Sequence, residues 1–124
     1  MMVVADHDAI YQILYNLCDN AVKFSQDGGV LRVSIQRKTE EKNKIQISVY
    51  NQGEGIAAED LPFVFERFYK GDKSRGLDRR GVGLGLYICK TIISAHGEQI
   101  WANSVQGKDC RFSFTLTEQP QPKD

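Results

Sequence analysis

The sequence of 124 residues predicts one α/β two-layer sandwich, with helices on one face of a sheet. Two observations predict this fold. Apolar residues recur at three- and four-residue steps in two long segments, as they do in amphipathic helices, and they alternate with polar residues in shorter segments, as they do in strands. Because 41% of the residues are hydrophobic, the chain has enough apolar surface for a single modest core.

The first half of the chain predicts a helix followed by a pair of strands. The helix runs from Asp6 to about Ser25, and either Asp6 or Asp8 would cap its start. Apolar residues alternate with polar ones at 31–36 and again at 45–49, which predicts a half-buried strand and a second strand antiparallel to it. We therefore expect a strand hairpin directly after the first helix.

The middle of the chain is polar and rich in glycine. Asn51 to Gly55 predicts a loop at the end of the second strand. The segment 59–69 has the composition of short helical turns interrupted by Pro62, and 70–80 carries five basic and two acidic residues with little apolar content. We expect the segment 70–80 to be a mobile loop.

A second helix and two further strands complete the predicted fold. Gly97 would cap the C-terminus of that helix. The strands are expected near 99–103 and 111–117, joined by a turn. We therefore expect one domain over 1–117 and a flexible tail over 118–124.

Charge and cysteine content exclude several classes of protein. Sixteen basic and sixteen acidic residues cancel, so the chain shows no electrostatic sign of nucleic-acid or membrane binding. No apolar run approaches the roughly 20 residues that a membrane-spanning helix needs. Cys18, Cys89 and Cys110 are widely spaced, which argues against a zinc site or a disulfide framework. We expect three reduced thiols in a cytoplasmic protein.

Three polar residues share one face of the first helix. Asn16, Asn20 and Lys23 lie at four- and three-residue steps. Amide oxygens can ligate a hard cation such as Mg²⁺, and an ammonium group can bind phosphate. For these three residues alone, a polar helix edge with a solvated lysine is the favoured interpretation.

Two glycine-rich segments add to this pattern. Gly81, Gly83 and Gly85 stand before a helix, where backbone N–H groups and the helix dipole favour a phosphate, although glycines also serve tight turns. The segment is neither a Walker A motif nor a Rossmann fingerprint. At the other segment, the side chain of Asn51 could read the edge of a base, and the glycines after it would let a flat ring lie against the backbone.

Four segments in this order resemble the motifs of one protein family. They are 16–24 (NLCDNAVKF), 51–56 (NQGEGI), 61–69 (LPFVFERFY) and 81–86 (GVGLGL). They resemble the N box, first glycine box, F box and second glycine box of sensor histidine kinase catalytic domains, within the superfamily of DNA gyrase, mismatch-repair ATPases and heat-shock chaperones. The resemblance extends from about Asp6 to Leu116.

The resemblance implies a Bergerat-type ATP-binding fold with a mixed sheet. It also implies a function: binding Mg-ATP and transferring the γ-phosphoryl group to a histidine on a separate dimerisation hairpin of a two-component sensor kinase. The partners would be that hairpin and a response regulator, and the parent protein would lie in a bacterial inner or cell membrane with this domain in the cytoplasm. Two alternatives are a degenerate nucleotide-sensing or interaction module and an anti-sigma serine kinase.

The resemblance also assigns roles to residues. Asn20 would ligate Mg²⁺, Lys23 would contact phosphate, and Asn51 would read the adenine amino group, while 70–80 would be a lid over the nucleotide. No catalytic residue is assigned, since the phosphoacceptor histidine is not in this chain. The residues expected to bind the nucleotide are Asn16, Asn20, Lys23, Phe24, Asn51, Gly53, Gly55, Ile56, Phe68, Lys70, Arg75, Gly81, Val82, Gly83, Leu84, Gly85 and Leu86.

One position differs from the ATPases of the wider superfamily, and others differ from the sensor kinase family itself. Asn16 stands where ATPases of the superfamily place a glutamate base, and an amide cannot take a proton, so we expect poor hydrolysis. Asn51 replaces the usual aspartate, from which we expect weaker or less selective ATP binding. Asp109 stands where the family often has a glycine. The family also has a further helix and strand ahead of Val3, so we expect the parent protein to be longer.

Overall fold

The computed structural model describes residues 3–38, 40, 42–66 and 82–119. Within these ranges the chain forms five strands and two α-helices. In chain order they are β1 (Val3–Val4), α1 (His7–Phe24), β2 (Leu31–Arg37), β3 (Lys44–Gln52), a 3₁₀ turn (Leu61–Phe63), α2 (Val82–Ala95), β4 (Ile100–Val105) and β5 (Asp109–Glu118).

The sheet is built around β5. This strand pairs with β3 on one side and with both β4 and the short β1 on the other, while β2 pairs with the outer edge of β3. The predicted two-layer sandwich is confirmed. The predicted mixed sheet is wrong for the described strands, because every pairing among them is antiparallel. The strands β3 and β4 do run in the same direction, but β5 lies between them, so the chain passes from β3 through α2 to β4 without forming a parallel pair.

Side chains and backbone cap both helices. Asp6, rather than Asp8, caps α1, since its carboxylate accepts hydrogen bonds from the N–H groups of Asp8 and Ala9 at 3.0 and 3.2 Å. The predicted cap at Gly97 is confirmed. Gly97 has φ +71°, its N–H bonds Ser94 O, and the next N–H bonds Ile93 O, which is the Schellman arrangement.

His96 joins the end of α2 to the start of α1. Its Nδ1 lies 2.9 Å from Ile92 O, and its Nε2 accepts a hydrogen bond from the N–H of Asp6 at 3.2 Å. The imidazole therefore serves as a helix-end link, with its Nδ1 donating and its Nε2 accepting.

The core lies between the two helices and one face of the sheet. Ile13 and Leu17 of α1 and Ile93 of α2 are fully buried, and Phe114 of β5 is fully buried beneath them. Each such side chain contributes roughly 1.5–3 kcal/mol through its burial. The core therefore fixes α1 against both α2 and β3.

The strand β2 is more exposed than its alternating pattern predicts. All seven of its residues are exposed, including Leu31 at 41%, Val33 at 49% and Ile35 at 57%. The prediction of a half-buried strand is wrong because α1 lies over β3, and no described element covers the outer strand.

The boundaries near the termini also differ from expectation. The strand β5 extends through Glu118, which pairs with Val3 of β1 and forms an ion pair with Arg37 at 3.0 Å. The sequence pattern did not indicate β1. In the described part of the chain, no helix is both long and apolar enough to cross a membrane.

Candidate functional site

A cavity of about 290 Å³ opens between the end of α1, the end of β3, the start of β5 and the start of α2. Its walls combine apolar and polar groups. They are Asn20, Phe24, Asn51, Glu54, Gly55, Ile56, Ala57, Asp60, Val64, Leu86, Gln106, Cys110 and Phe112. Six of these residues, Asn20, Phe24, Asn51, Gly55, Ile56 and Leu86, belong to the set expected from the sequence.

Asn51 lines this cavity, and its amide nitrogen is unpaired within the described part of the chain. Asn51 is the second-last residue of β3, and its backbone is held opposite Cys110 of β5. The residue is only 2% exposed, and its Nδ2 has no hydrogen-bond partner among the described residues. A buried amide left unpaired costs about 1–3 kcal/mol, so such a group is characteristic of a site that a ligand completes.

In the amide of Asn20 it is the oxygen, a hydrogen-bond acceptor, that is unpaired within the described ranges. Asn20 lies on the buried face of α1 beside Leu17 and Ala21, and it is 6% exposed. Its Oδ1 has no hydrogen-bond partner in the described ranges. A buried amide oxygen with a free lone pair fits a hard cation such as Mg²⁺. Two residues that line the cavity thus carry, within the described ranges, one unpaired donor and one unpaired acceptor.

Two glycines allow the cavity walls to approach closely. A Cβ on Gly53 would overlap the carbonyl oxygen of Phe24, and the two segments form a β-bridge between Ser25 and Gly53. Gly53 does not line the cavity; its missing side chain lets the end of α1 reach β3. Gly55 has φ +68°, and a Cβ there would lie 2.5 Å from Val105 O.

Other expected residues lie beside the cavity rather than on its wall. Asn16 is half-buried against α2, where a Cβ on Gly85 would meet its Cγ at 3.7 Å. Burial raises the pKa of the Cys89 thiol to about 11, and a hydrogen bond with Asn16 offsets part of that rise. Lys23 pairs with Asp19, one turn before it on α1, at 3.0 Å.

The remaining expected residues fall in the segment 61–69, the segment 70–80 and the second glycine-rich segment. Val82, Gly83 and Leu84 form the first turn of α2. Phe68, Lys70, Arg75 and Gly81 lie outside the described residues.

The sequence patterns did not identify one wall of the cavity. Cys110 and Phe112 come from β5, and Phe65 packs edge-on against Phe112 with ring centroids 5.8 Å apart. Burial raises the pKa of Cys110 to about 12, so its thiol is a neutral part of the wall. Alternation in 111–117 indicated a strand, but only the register of β5 beside β3 places these side chains next to Asn51. The others missed are Glu54, Ala57, Asp60, Val64 and Gln106.

The arrangement suits a flat, partly polar ligand. Phe24, Ile56, Leu86 and Phe112 offer apolar surface, and the two unpaired amide atoms offer directional contacts. The basic residues expected to meet phosphate groups belong mainly to 70–80, outside the described residues.

Comparisons with known proteins place the chain in a family. The sequence profile of the histidine kinase-, DNA gyrase B-, and HSP90-like ATPase family matches residues 5–120. The chain is 42% identical over 124 residues to the sensor histidine kinase WalK of Bacillus subtilis, covering all of this chain and 20% of WalK. The chain therefore spans about a fifth of the length of that curated relative.

Solved structures show the same fold. The mycobacterial sensor histidine kinase MprB superimposes with a TM-score of 0.81 at 27% identity, over 96% of this chain and 78% of that one. Full-length ShkA, solved in complex with AMPPNP, superimposes with a TM-score of 0.78 at 26% identity, over 98% of this chain and 24% of that one. The chain belongs to the histidine kinase-, DNA gyrase B-, and HSP90-like ATPase family, as an ATP-binding domain of the type found in two-component sensor kinases.

Proposed function

We propose that this chain binds Mg-ATP in the cavity and donates the γ-phosphoryl group to a histidine on a separate dimerisation hairpin of a two-component sensor kinase. The observation that carries the proposal is that two residues lining one largely apolar cavity, Asn20 and Asn51, each bury an amide atom that has no hydrogen-bond partner among the described residues. The ShkA structure, which contains AMPPNP, supports a nucleotide as the occupant.

Different residues would bind different parts of the nucleotide. Phe24, Ile56 and Phe112 would enclose the base, and Asn51 would bond its edge. Asn20 Oδ1 would be a ligand of Mg²⁺, which neutralises phosphate charge when it is bound. The glycine segment at 81–85 and the basic lid at 70–80 would hold the phosphates.

The residue at position 16 favours storage of ATP over hydrolysis. Asn16 has no proton-accepting group for an attacking water, and its side chain faces Gly85 and Cys89. Catalysis would depend on positioning and charge neutralisation, as in phosphoryl transfer generally. A nucleotide held intact is what transfer to a second protein requires.

The partners follow from the proposed reaction. The acceptor is the dimerisation hairpin of the parent kinase, and the phosphoryl group then passes to a response regulator. We also propose that this chain is the catalytic domain, in the cytoplasm, of a parent protein held in the bacterial membrane. Family membership supports these proposals, and no nucleic-acid contact is needed for them.

Transfer in trans tests the proposal. The chain is incubated with Mg²⁺, γ-labelled ATP and a dimerisation hairpin from a related sensor kinase, together with a control hairpin whose phosphoacceptor histidine is replaced by glutamine. We expect an acid-labile phosphohistidine on the first hairpin only. ATP binding without transfer would instead favour a nucleotide-sensing module, which the uncharged Asn51 makes the second candidate, and a stable phosphoserine on a partner would favour an anti-sigma serine kinase.

A further inference from the structure

The chemistry of Asn51 differs at the two ends of its amide. Nδ2 carries two donor hydrogens and Oδ1 carries two lone pairs. The backbone of Asn51 is fixed by its pairing with Cys110 in the sheet, so the position of the side chain in the cavity is fixed as well. The residue is 2% exposed, so bulk water does not satisfy its side chain.

No hydrogen bond within the described part of the chain holds the amide nitrogen of Asn51 in one orientation. Nδ2 has no acceptor in residues 3–38, 40, 42–66 and 82–119. The neighbouring walls contributed by Phe24, Ile56 and Phe112 are apolar. Rotation of the terminal amide by half a turn exchanges its N and O positions, and this torsion is broad and roughly two-fold. We therefore expect a bound ligand to select the orientation.

A primary amide in two orientations matches two kinds of purine edge. Adenine presents a donor at its 6-amino group and an acceptor at N1. A 6-oxopurine presents the reverse, an acceptor at O6 and a donor at N1–H. The amide satisfies the first edge with Oδ1 toward the 6-position and the second with Nδ2 toward it. A carboxylate at this position has only acceptors, so it has no donor for O6.

We infer that Asn51 is a specificity-determining residue that lets this site accept 6-oxopurine nucleoside triphosphates as well as ATP. This inference rests on the proposed function, since it assumes that the base of a nucleoside triphosphate occupies the cavity. The structural basis is the unpartnered, buried Nδ2 of Asn51 beside apolar walls. A pyrimidine buries less apolar surface against these walls, so it binds more weakly than either purine.

Calorimetric titration of the whole chain with Mg-ATP, Mg-ITP and Mg-UTP tests the inference. ITP is the suitable 6-oxopurine because it lacks the 2-amino group of guanine, which Glu54 or Asp60 on the wall could bond. We expect the Kd values for ATP and ITP to agree within about threefold. The Kd for UTP should be higher than both by about tenfold or more. These ratios come from the unaltered chain, so no substitution needs to fold.

Two variants then test whether residue 51 determines the ratio of the Kd values for ATP and ITP. Asn51→Asp is expected to favour ATP over ITP by about tenfold or more, because its carboxylate leaves O6 without a donor. Asn103→Asp makes the same amide-to-carboxylate change at an exposed position on β4 and should keep the original ratio.

The outcomes separate the two proposals. ATP binding with tenfold discrimination against ITP by the unaltered chain would overturn the inference and leave the proposed function standing. Equal binding of ATP, ITP and UTP would also overturn it, since the base would then not be read. Failure of all three to bind would remove the proposed function and the inference together.

Discussion

The buried amides of Asn20 and Asn51 lie on the wall of the same cavity, and each leaves one polar atom unpaired within the described part of the chain. Asn20 comes from a helix and Asn51 from a strand. The unpaired atoms have opposite hydrogen-bonding character, an acceptor on Asn20 and a donor on Asn51. Buried polar groups in folded proteins are usually hydrogen-bonded, so two such groups fit the proposed nucleotide, which would complete them.

Replacing Asn20 should separate stability from binding. Asn20→Leu removes a buried, unpaired acceptor and keeps a similar volume, so we expect the free energy of unfolding to be unchanged or higher by about 1 kcal/mol. The ratio of the ATP affinities with and without Mg²⁺ should be about tenfold smaller in this variant, because the amide ligand of the ion is lost. Calorimetry with and without Mg²⁺ measures this, and Gln12→Leu on the exposed side of α1 is the control. Undiminished dependence on Mg²⁺ in Asn20→Leu would show that Asn20 is not a ligand.

The two glycine segments should respond to alanine in opposite ways. Gly53→Ala places a Cβ against the carbonyl of Phe24, and we expect a loss of about 1–3 kcal/mol in the free energy of unfolding. Gly85→Ala lies within α2, where the new Cβ meets Asn16 at an ordinary 3.7 Å, so stability should rise by about 0.5–1 kcal/mol. Denaturant unfolding measures both changes.

The same pair of variants tests the phosphate role of Gly85. If the phosphates approach the backbone at the start of α2, Gly85→Ala should weaken ATP binding despite its greater stability. Equal affinity in Gly85→Ala and the unaltered chain would place the phosphates elsewhere.

The thiol of Cys110 reports on occupancy of the cavity. Because burial raises its pKa to about 12, little thiolate exists near neutral pH, and alkylation should be slow and should accelerate as the pH rises toward that value. Mass spectrometry of the alkylated Cys18→Ser variant follows Cys110 and Cys89 without the half-buried Cys18. Bound nucleotide should slow the labelling of Cys110 further, since this residue lines the cavity. Rapid labelling near neutral pH would contradict the buried placement of β5 beside Asn51.

Acid should weaken the fold through Glu98. Burial raises the pKa of this carboxyl, but hydrogen bonds from Lys44, Thr117 and Thr115 outweigh it, so the pKa lies below its ordinary value of 4.5. The ionised group is 4% exposed and lies 2.7 Å from Lys44 Nζ. Its stabilisation is therefore present above about pH 4.5 and is lost as the pH falls through the lowered pKa of the folded state.

Substitution of Glu98 checks this account. Glu98→Gln should unfold about 1–3 kcal/mol more easily at neutral pH and should lose less stability on acidification than the unaltered chain. The control is Glu118→Gln, whose partner Arg37 is 68% exposed, so its cost should stay below about 1 kcal/mol. Parallel pH profiles for Glu98→Gln and the unaltered chain would refute the role of Glu98.

Local patterns predicted the elements better than their arrangement. The apolar stripe and Asp6 gave the bounds of α1 closely, and Gly97 marked the end of α2, because helix periodicity and caps depend on neighbours in sequence. The strand β2 was expected to be half-buried, but its exposure depends on which strand α1 covers. Alternation alone cannot report that choice.

The candidate site was predicted in part for the same reason. The resemblance of the motifs alone assigned Asn20 and Asn51 to one nucleotide site. The contribution of Cys110 and Phe112 depends on β5 lying between β3 and β4, which is a property of sheet topology. The unpaired state of the two amides also required the packing around them.

Titration with Mg-ATP, followed by the side-chain amide signals of Asn20 and Asn51 in nuclear magnetic resonance spectra, tests the central claim most directly. We predict saturable binding of one nucleotide per chain, with both amide signals shifting along the binding curve and Asn20 shifting less without Mg²⁺. If millimolar Mg-ATP left both signals in place, the cavity would not be the nucleotide site and the account would be wrong.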